Sequence, residues 1–278
     1  MVTQTETTYQ PRFTSSDLSA SITERIKELA EATDTARLSE EMLRYLETCS
    51  KFHQYSPFNV WCILMACPNA TAVAGFQKWN SFNRFVRKGE KGIPILAPII
   101  VKEDPDDPDS KSGLRGFKVV YVFDLSQTEG EPLPDPPNWK SPAKNAELQE
   151  LLIRFADSKG IQVQIKHMGR DIQGVSIGGK ILLDPEAGTK TLIHEIAHEL
   201  LHRDTDRPEE SEIRELEAES VAYIVGKHYG LDGLSSPNYV ALHGATSEMV
   251  MSHLECIRNA ASEIINALEV IMQTEIAL

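Results

Sequence analysis

The chain has 278 residues, a length that favours two domains over one. Of these residues 41% are hydrophobic, which is enough to bury substantial cores and disfavours wholesale disorder. Its net charge of −13 excludes nucleic-acid binding driven by bulk charge, which would instead need a local basic patch. No apolar run is long enough for a membrane span, the start shows no secretory signal, and the four cysteines lack metal-ligand spacing. We therefore expect a reduced, cytoplasmic protein with no membrane partner.

The first half is predicted to start with helices and to continue with a pair of strands. Helical periodicity runs through 15–32 and 36–52, and a short third helix covers 57–67 with a proline at its start. The stretches "IPILAPIIV" and "FKVVYVFDL" are typical of paired strands and flank an acidic loop. The proline-rich stretch "EGEPLPDPPNWKSP" then indicates a linker, which we place at 132–141.

The second half is predicted to alternate helices with short strands. A helix begins at Pro142 and ends by Gly160, and "IQVQIKH" and "KILLD" follow as strands. A histidine-bearing helix comes next, then a helix that ends at Gly230 and a last long helix from about Ser247.

The stretch "TLIHEIAHELLHRD" contains two histidines at a spacing that suits one metal ion. Positions i and i+4 share a helix face, so His194 and His198 can hold one Zn²⁺ between them, and Glu195 beside them can take a proton from a water bound to the metal. The alternative is a helix with solvent-facing histidines. The apolar neighbours of the pair argue against it, because they predict a buried helix in which histidines need partners.

His202 continues the same row but is predicted not to bind the same ion. A straight helix carries it about 12 Å along the axis from His194, and "HELLH" has no glycine at which the chain could bend. We expect His202 to support the site or to pack.

The third ligand is expected from the helix that contains "RELEAESVAYIV". Glu217 shares a face with Val221 and Ile224, so spacing modestly prefers it, whereas Glu215 and Glu219 fall on sides that a solvated charged face explains.

"HEIAHELLH" followed by "ELEAESVAYIV" resembles zincin metallopeptidases of the ImmA/IrrE type. The resemblance implies His194 and His198 as ligands, Glu195 as general base and Glu217 as third ligand. It also implies that the strand in "GGKILLD" lines the cleft and could pair with an extended substrate. Glu219 stands where many relatives have asparagine. Four residues are candidates for oxyanion stabilisation, and a structural role is favoured for each: Tyr223, His228, Tyr239 and His243.

The stretches "YSPFNVWCILMACPNATAVAGFQKWNSFNRFVRKGEKGIPILAP" and "VYVFDLSQTEGEPLP" are similar to the N-terminal domain of ArdC-type antirestriction proteins. This resemblance implies a domain that binds single-stranded DNA, joined to a zincin-like domain, in a protein typical of mobile elements and of bacterial and phage genomes.

The local chemistry between residues 76 and 92 is compatible with single-strand binding. Cations beside stacking aromatics suit a nucleic-acid strand of any sequence. The cations are Lys78, Arg84, Arg87, Lys88 and Lys91, and the interleaved aromatics are Phe76, Trp79, Phe82 and Phe85. For Trp79 and Phe82 the buried face of a helix is the favoured interpretation, which leaves the basic "RKGEKG" tip as the better candidate. Nearby acidic residues could shield this patch or mimic DNA: Glu103, Asp104, Asp106, Asp107 and Asp109.

The sequence thus predicts an α+β protein: an N-terminal mixed helix and strand domain of DNA-binding type over 15–131, the linker over 132–141, and a zincin-like metallopeptidase domain over 142–278. The leading hypothesis is a DNA-associated zinc metalloprotease or antirestriction factor with single-stranded DNA and an unidentified protein or peptide as partners. One alternative is a regulatory metalloprotease whose first half binds a protein. Another is a non-proteolytic DNA-binding protein with a structural zinc, for which Glu195 would have no purpose.

Overall fold

A computed structural model describes the α+β fold over residues 14–31, 35–102, 112–133, 142–169, 172–204, 207–234, 237–242 and 245–276. The first half begins with three helices, α1 (Ser15–Ala30), α2 (Thr35–Lys51) and α3 (Pro57–Ala66). Caps define their starts: Thr14 and Asp17 form a capping box on α1, and Ser56 caps α3 ahead of its first-turn proline. The predicted helices of this region are confirmed.

The first half continues with short strands around one long hairpin. The elements are β1 (Val73–Gly75), α4 (Phe76–Ser81), β2 (Arg84–Val86), β3 (Ile93–Lys102), β4 (Ser112–Asp124) and β5 (Thr128–Gly130). Strands β1, β4 and β3 form an antiparallel sheet in that order, and β2 pairs with β5. The predicted strand pair is confirmed as β3 and β4, which pair from Ile93 opposite Val122 to Lys102 opposite Ser112, with a shift of register after Ile99.

The second half packs four helices beside a small sheet. Its elements are α5 (Pro142–Ser158), β6 (Gln162–Ile165), β7 (Gly174–Ser176), β8 (Lys180–Leu183), α6 (Thr189–Leu201), α7 (Ser211–His228) and α8 (Ser247–Ile276). The sheet order is β6-β8-β7, so β8 is hydrogen-bonded on both sides and β7 forms an edge. Within the described part of the chain, no helix is long and apolar enough to cross a membrane.

Helices of the two halves share one hydrophobic core, in which α2 packs on α7, and α1 and α3 pack on α8. Polar contacts reinforce this packing: the Tyr223 hydroxyl donates to Glu47 at 3.1 Å, and His228 Nδ1 lies 2.9 Å from the Ser50 carbonyl oxygen. Most of the predicted linker, 134–141, lies outside the described residues. The division into domains at that segment stays a prediction, although the halves on either side of it are packed together.

A buried histidine at this junction should make stability fall in mild acid. Burial, together with His228 and Arg258, lowers the pKa of His53 from 6.5 to about 4, although the contact of His53 with Asn266 acts to raise it. The unfolded chain therefore takes up a proton below pH 6.5 that the folded chain refuses until about pH 4, so stability is present above 6.5 and is lost as pH falls through that window. We expect His53→Gln to reduce the difference in unfolding free energy between pH 7 and pH 5, measured with urea.

The exposed His167 offers the matched control, because His167→Gln should leave that difference as in the parent. An equal loss of stability in parent and His53→Gln would contradict the assignment.

Candidate metal centre and nucleic-acid interface

Helix α6 brings the two histidines of the HExxH stretch together. Leu192, Ile193 and Ile196 are fully buried, so the helix is anchored in the core as its apolar sequence predicts. His194 Nε2 and His198 Nε2 lie 3.0 Å apart and face the same side. Both lone-pair nitrogens can therefore reach a single ion.

Glu215 of α7 completes the group. Its Oε2 lies 3.4 Å from His194 Nε2, and its Oε1 lies 3.4 Å from His198 Nε2. An ion with bonds of about 2.0–2.1 Å in tetrahedral geometry holds its ligand atoms roughly 3.4 Å apart. Two imidazoles and one carboxylate at these distances fit a divalent metal of the zinc type.

Glu217, the predicted third ligand, is not brought to the histidine pair. Its carboxylate is 3% exposed, with Oε2 2.8 Å from His202 Nε2 and Oε1 2.6 Å from His253 Nδ1. Two residues along a helix differ by about 200° in direction, so a helix that points Glu215 at the pair must point Glu217 elsewhere. Glu217 does face inward, as its apolar row predicts, but the metal group lies at the rim, where the Glu215 side chain is 65% exposed. We therefore replace Glu217 by Glu215 as the candidate third ligand.

The back of each candidate histidine ligand is held by a second side chain. His198 Nδ1 lies 3.0 Å from His202 Nδ1, so His202 supports the pair without joining it. His194 Nδ1 lies 3.3 Å from Glu219 Oε2, and the other oxygen of Glu219 lies 2.5 Å from Lys190 Nζ. Such contacts orient imidazole rings towards a metal.

The pKa values of the two histidines are shifted in opposite directions. Burial, reinforced by His194 and His202, lowers the pKa of His198 to about 3, so this ring offers a lone pair at neutral pH. Burial also acts to lower the pKa of His194, but the carboxylates of Glu219, Glu195 and Glu215 outweigh it and the pKa is raised.

Glu195 lies beside His194 in the wall of a cleft of about 410 Å³. The cleft is lined by Ile172, Gln173, Gly174, Lys190, Thr191, His194, Glu195 and Glu219. Burial, with contributions from Glu215 and Glu199, raises the pKa of the Glu195 carboxyl, although His194 and the Ser176 N–H act against the rise. A carboxylate of raised pKa at the edge of a cleft is suited to accept a proton.

The strand that faces this cleft is β7, and this corrects the expectation for "GGKILLD". That stretch forms β8, whose two edges are already paired with β6 and β7, so it has no free edge for a substrate. β7 approaches α6 so closely that a Cβ on Gly174 would lie 2.9 Å from Cγ of Glu195. Glu199 fastens the turn after β7, because its carboxylate accepts from the Ser176 hydroxyl and from the Gly178 and Gly179 N–H groups.

The residues considered for oxyanion stabilisation have partners that explain them structurally. Tyr223 and His228 contact α2, and the Tyr239 hydroxyl lies 3.0 Å from the buried Ser220 hydroxyl. His243 lies outside the described residues.

The five cations predicted to bind DNA separate into an exposed group and one buried member. Lys78, Arg87, Lys88 and Lys91 are exposed, whereas Arg84 is only 9% exposed. The Arg84 guanidinium donates to the Thr128 hydroxyl and to the carbonyl oxygens of Thr128, Gly130 and Glu131. Alternation along β2 turns Arg84 inward and Phe85 outward. Arg84 therefore holds β2 and β5 together, and its assignment to DNA is withdrawn.

The two motifs of the first half, "VRKGEKG" and "FDLSQTEG", fold against each other. Gln127 donates to Glu90 and to the Lys91 carbonyl oxygen, and Arg87 donates to the carbonyl oxygens of Ser126 and Thr128. These bonds explain why the two motifs are informative together, since the second supports the basic tip of the first.

The aromatic residues of this region also differ in how far they are buried. Trp79 is 2% exposed and donates from Nε1 to the Phe123 carbonyl oxygen, so its predicted burial is confirmed. The same prediction is wrong for Phe82, which is 44% exposed and lies under Lys78 Nζ, 4.8 Å from its ring centre. Phe76 and Phe85 are more than half exposed. The acidic residues predicted to shield the patch, Glu103, Asp104, Asp106, Asp107 and Asp109, lie outside the described residues.

The sequence of the chain is similar to those of known proteins. Residues 16–156 match a family model described as the N-terminal domain of anti-restriction factor ArdC, which covers half of the chain and continues past the predicted linker into α5. The uncharacterized protein pXO2-81 of Bacillus anthracis is 27% identical over 296 residues, an alignment that covers 87% of this chain and 50% of that protein. The chain thus spans about half the length of this curated relative.

Two crystal structures of the antirestriction ArdC protein from the R388 plasmid are similar to the chain at 18% identity. The metal-free structure has a TM-score of 0.48 and covers 79% of this chain and 84% of its own, and the Mn(II)-bound structure has a TM-score of 0.49 and covers 92% and 97%.

Proposed function

Because the chain belongs to the ArdC family of anti-restriction factors, we propose that it binds single-stranded DNA through its first half and hydrolyses peptide bonds at a zinc site in its second half. The observation that carries the enzymatic part is the convergence of His194 Nε2, His198 Nε2 and the Glu215 carboxylate beside the buried Glu195. The substrate is an unidentified protein or peptide.

The roles of the residues follow from their positions. His194, His198 and Glu215 would hold the ion, which supplies a Lewis acid and an acidified water when bound. Glu195, whose pKa burial raises, takes and returns the proton. The edge of β7 offers backbone groups to which an extended peptide can pair along the cleft.

The metal centre can be tested by elemental analysis. The purified protein is expected to bind about one zinc ion per chain, in keeping with two imidazoles and one carboxylate. His194→Ala should lose that ion, and the exposed His167→Ala should keep it. Unchanged metal content in His194→Ala would remove the basis of the proposed enzyme.

Gly174→Ala is expected to impair hydrolysis without removing the metal. The added methyl group would meet Cγ of Glu195 and Cγ2 of Thr191 at 2.9 Å, so either these side chains or β7 must move, and both changes alter the position of the Glu195 carboxylate relative to β7. A displacement of about 1 Å at a reacting group can cost on the order of 100-fold in rate. The effect is measured as the rate of peptide hydrolysis at equal zinc content. Gly178→Ala is not a suitable control, because Gly178 has a φ of +77° and a side chain there would strain the backbone.

Gly188→Ala is the better control, since a Cβ there meets nothing within 4 Å and the backbone lies in the β region. Equal rates in Gly174→Ala and the parent would show that this close approach does not position Glu195.

The DNA-binding part of the proposal rests on cations next to exposed rings. Lys78, Lys88 and Lys91 are exposed, and ring surface is presented beside them by Phe82, which follows α4, and by Phe85 in β2. The phosphates of a single strand need cations as partners, and its bases need aromatic rings on which they can stack. Titration of labelled single-stranded and duplex DNA at two salt concentrations tests it: the expected result is a salt-sensitive preference for the single strand.

One observation favours the alternative in which the first half binds a protein. The β3–β4 hairpin exposes large apolar side chains at its outer part, which are Ile99, Ile100, Val101, Leu114 and Phe117. Exposed apolar clusters of this kind mark protein contacts more often than DNA contacts. Absence of DNA binding in the titration, together with retained peptide hydrolysis, would select this regulatory protease.

A further inference from the structure

We propose that Glu217 is a positioning residue that holds the His202 ring and, through it, the His198 ring, so that Nε2 of His198 is directed at the metal position. The inference rests on the proposed metal centre and deepens it. It gives a role to the carboxylate that spacing had marked as a ligand, and it brings His253 of α8 into the site.

An unbroken series of contacts connects the buried carboxylate with the candidate ligand. Glu217 Oε2 lies 2.8 Å from His202 Nε2, and His202 Nδ1 lies 3.0 Å from His198 Nδ1. The opposite nitrogen of His198, Nε2, is the one that lies within 3.4 Å of Glu215. In His202, Nε2 therefore faces Glu217 and Nδ1 faces His198. In His198, Nδ1 faces His202 and Nε2 faces the metal position.

The contacts determine how the two rings are oriented. The Glu217 carboxylate can only accept, so it takes a hydrogen bond from His202 Nε2 and fixes the orientation of the His202 ring. The other nitrogen of His202 then lies behind His198, and the contact of 3.0 Å between the two Nδ1 atoms holds the His198 ring with Nε2 directed at the metal position.

The carboxylate is itself held in place. His253 Nδ1 lies 2.6 Å from Glu217 Oε1, so both oxygens of Glu217 accept a hydrogen bond. Burial raises the cost of this negative charge, but the bonds from His202 and His253 outweigh it and lower the pKa of Glu217. His198, His202, Glu217 and His253 thus form one network that joins α6 and its C-terminal cap to α7 and α8.

If the role of Glu217 were only structural, its carboxylate would need hydrogen-bond donors, but the contacts would not need to continue to His198, a candidate metal ligand. Glu217→Gln separates the two possibilities. The glutamine has the same size, but its amide can accept from one histidine only and presents an NH₂ group to the other. One of the two contacts through which Glu217 holds His202 and His253 is then lost.

The first measurement is zinc affinity of the full-length protein by competition with a chromophoric chelator. We expect Glu217→Gln to bind one ion per chain with a dissociation constant about 10- to 100-fold higher than the parent. Glu212→Gln, which removes the same charge from an exposed position of α7, should bind as the parent does. Glu215→Ala should lose the ion, as His194→Ala should.

The outcomes separate this inference from the metal centre. Parent-like affinity in Glu217→Gln overturns the inference and leaves the centre intact. Complete loss in Glu217→Gln with retention in Glu215→Ala also overturns it, because Glu217 would then be the ligand. Retention of zinc in His194→Ala contradicts the metal centre itself.

The second measurement is made on the zinc-bound protein. Long-range ¹⁵N–¹H spectra of histidine-labelled protein show which ring nitrogen of His198 binds the ion and how the other one is hydrogen-bonded. The proposal expects Nε2 of His198 to bind the ion in the parent, and the Nδ1 signal to shift in Glu217→Gln but not in Glu212→Gln. Binding of the ion through Nδ1 of His198, or an Nδ1 signal that Glu217→Gln leaves unchanged, would overturn the proposal.

Discussion

Replacing Glu195 by glutamine is expected to abolish peptide hydrolysis and to leave the metal in place. Glutamine has the size of glutamate, but it cannot accept a proton, and Glu195 does not belong to the group formed by His194, His198 and Glu215. Loss of a general base reduces a rate by about 100- to 10,000-fold. Hydrolysis of a fluorescence-quenched peptide library, with zinc content measured on the same samples, is the appropriate assay.

The control for this prediction is Glu186→Gln, an exposed position just ahead of α6, which should retain the rate of the parent. If Glu195→Gln cleaves peptides as fast as the parent, another group takes the proton. A parent that holds zinc and cleaves nothing in the library would argue for the non-proteolytic alternative.

Reversing the charge of Lys78, Lys88 and Lys91 to glutamate is expected to weaken single-stranded DNA binding by at least about 100-fold at low salt. These three lysines are exposed in α4 and in the tip between β2 and β3. Each phosphate contact on a single strand contributes about 0.7 to the slope of log affinity against log salt, so the slope should flatten by about 2. Fluorescence anisotropy of a labelled oligonucleotide at several salt concentrations gives both quantities.

The matched control reverses three exposed lysines away from this surface, namely Lys27, Lys159 and Lys166, and so changes the net charge by the same amount. Equal losses in the two variants would mean that only overall charge matters. Arg84 is left unchanged in both, because its guanidinium serves the packing of β5 and its removal would disturb the fold.

The residues of the HExxH helix were predictable because periodicity within one helix determines them. The spacing of His194 and His198 and the apolar row beside them define both the pair and the buried face. The β3–β4 pairing was predictable for a similar local reason, since two apolar strands flank one loop.

The choice between Glu215 and Glu217 could not be made from the sequence, because it depends on how α7 is rotated against α6. Apolar spacing shows which side of a helix faces the core, and it does not show which part of that helix faces the cleft. His253 carried no local signal at all, since its partner Glu217 is 36 residues away and only the packing of α8 brings them together. Alternation in β2 could have indicated that Arg84 and Phe85 point to opposite sides, but a three-residue strand is too short for that pattern to be recognised.

The packing of α2 on α7 has a consequence for how such proteins can diversify. A recombination event that joined this first half to a different catalytic half would leave the apolar face of α2 without its partner and Glu47 without the Tyr223 hydroxyl. The new half would need a helix of matching shape, and a longer or more flexible connection would not supply one. We therefore expect the two halves to be inherited as a pair, with substitutions at the α2–α7 contact occurring together, while the cleft and the basic tip change independently of each other.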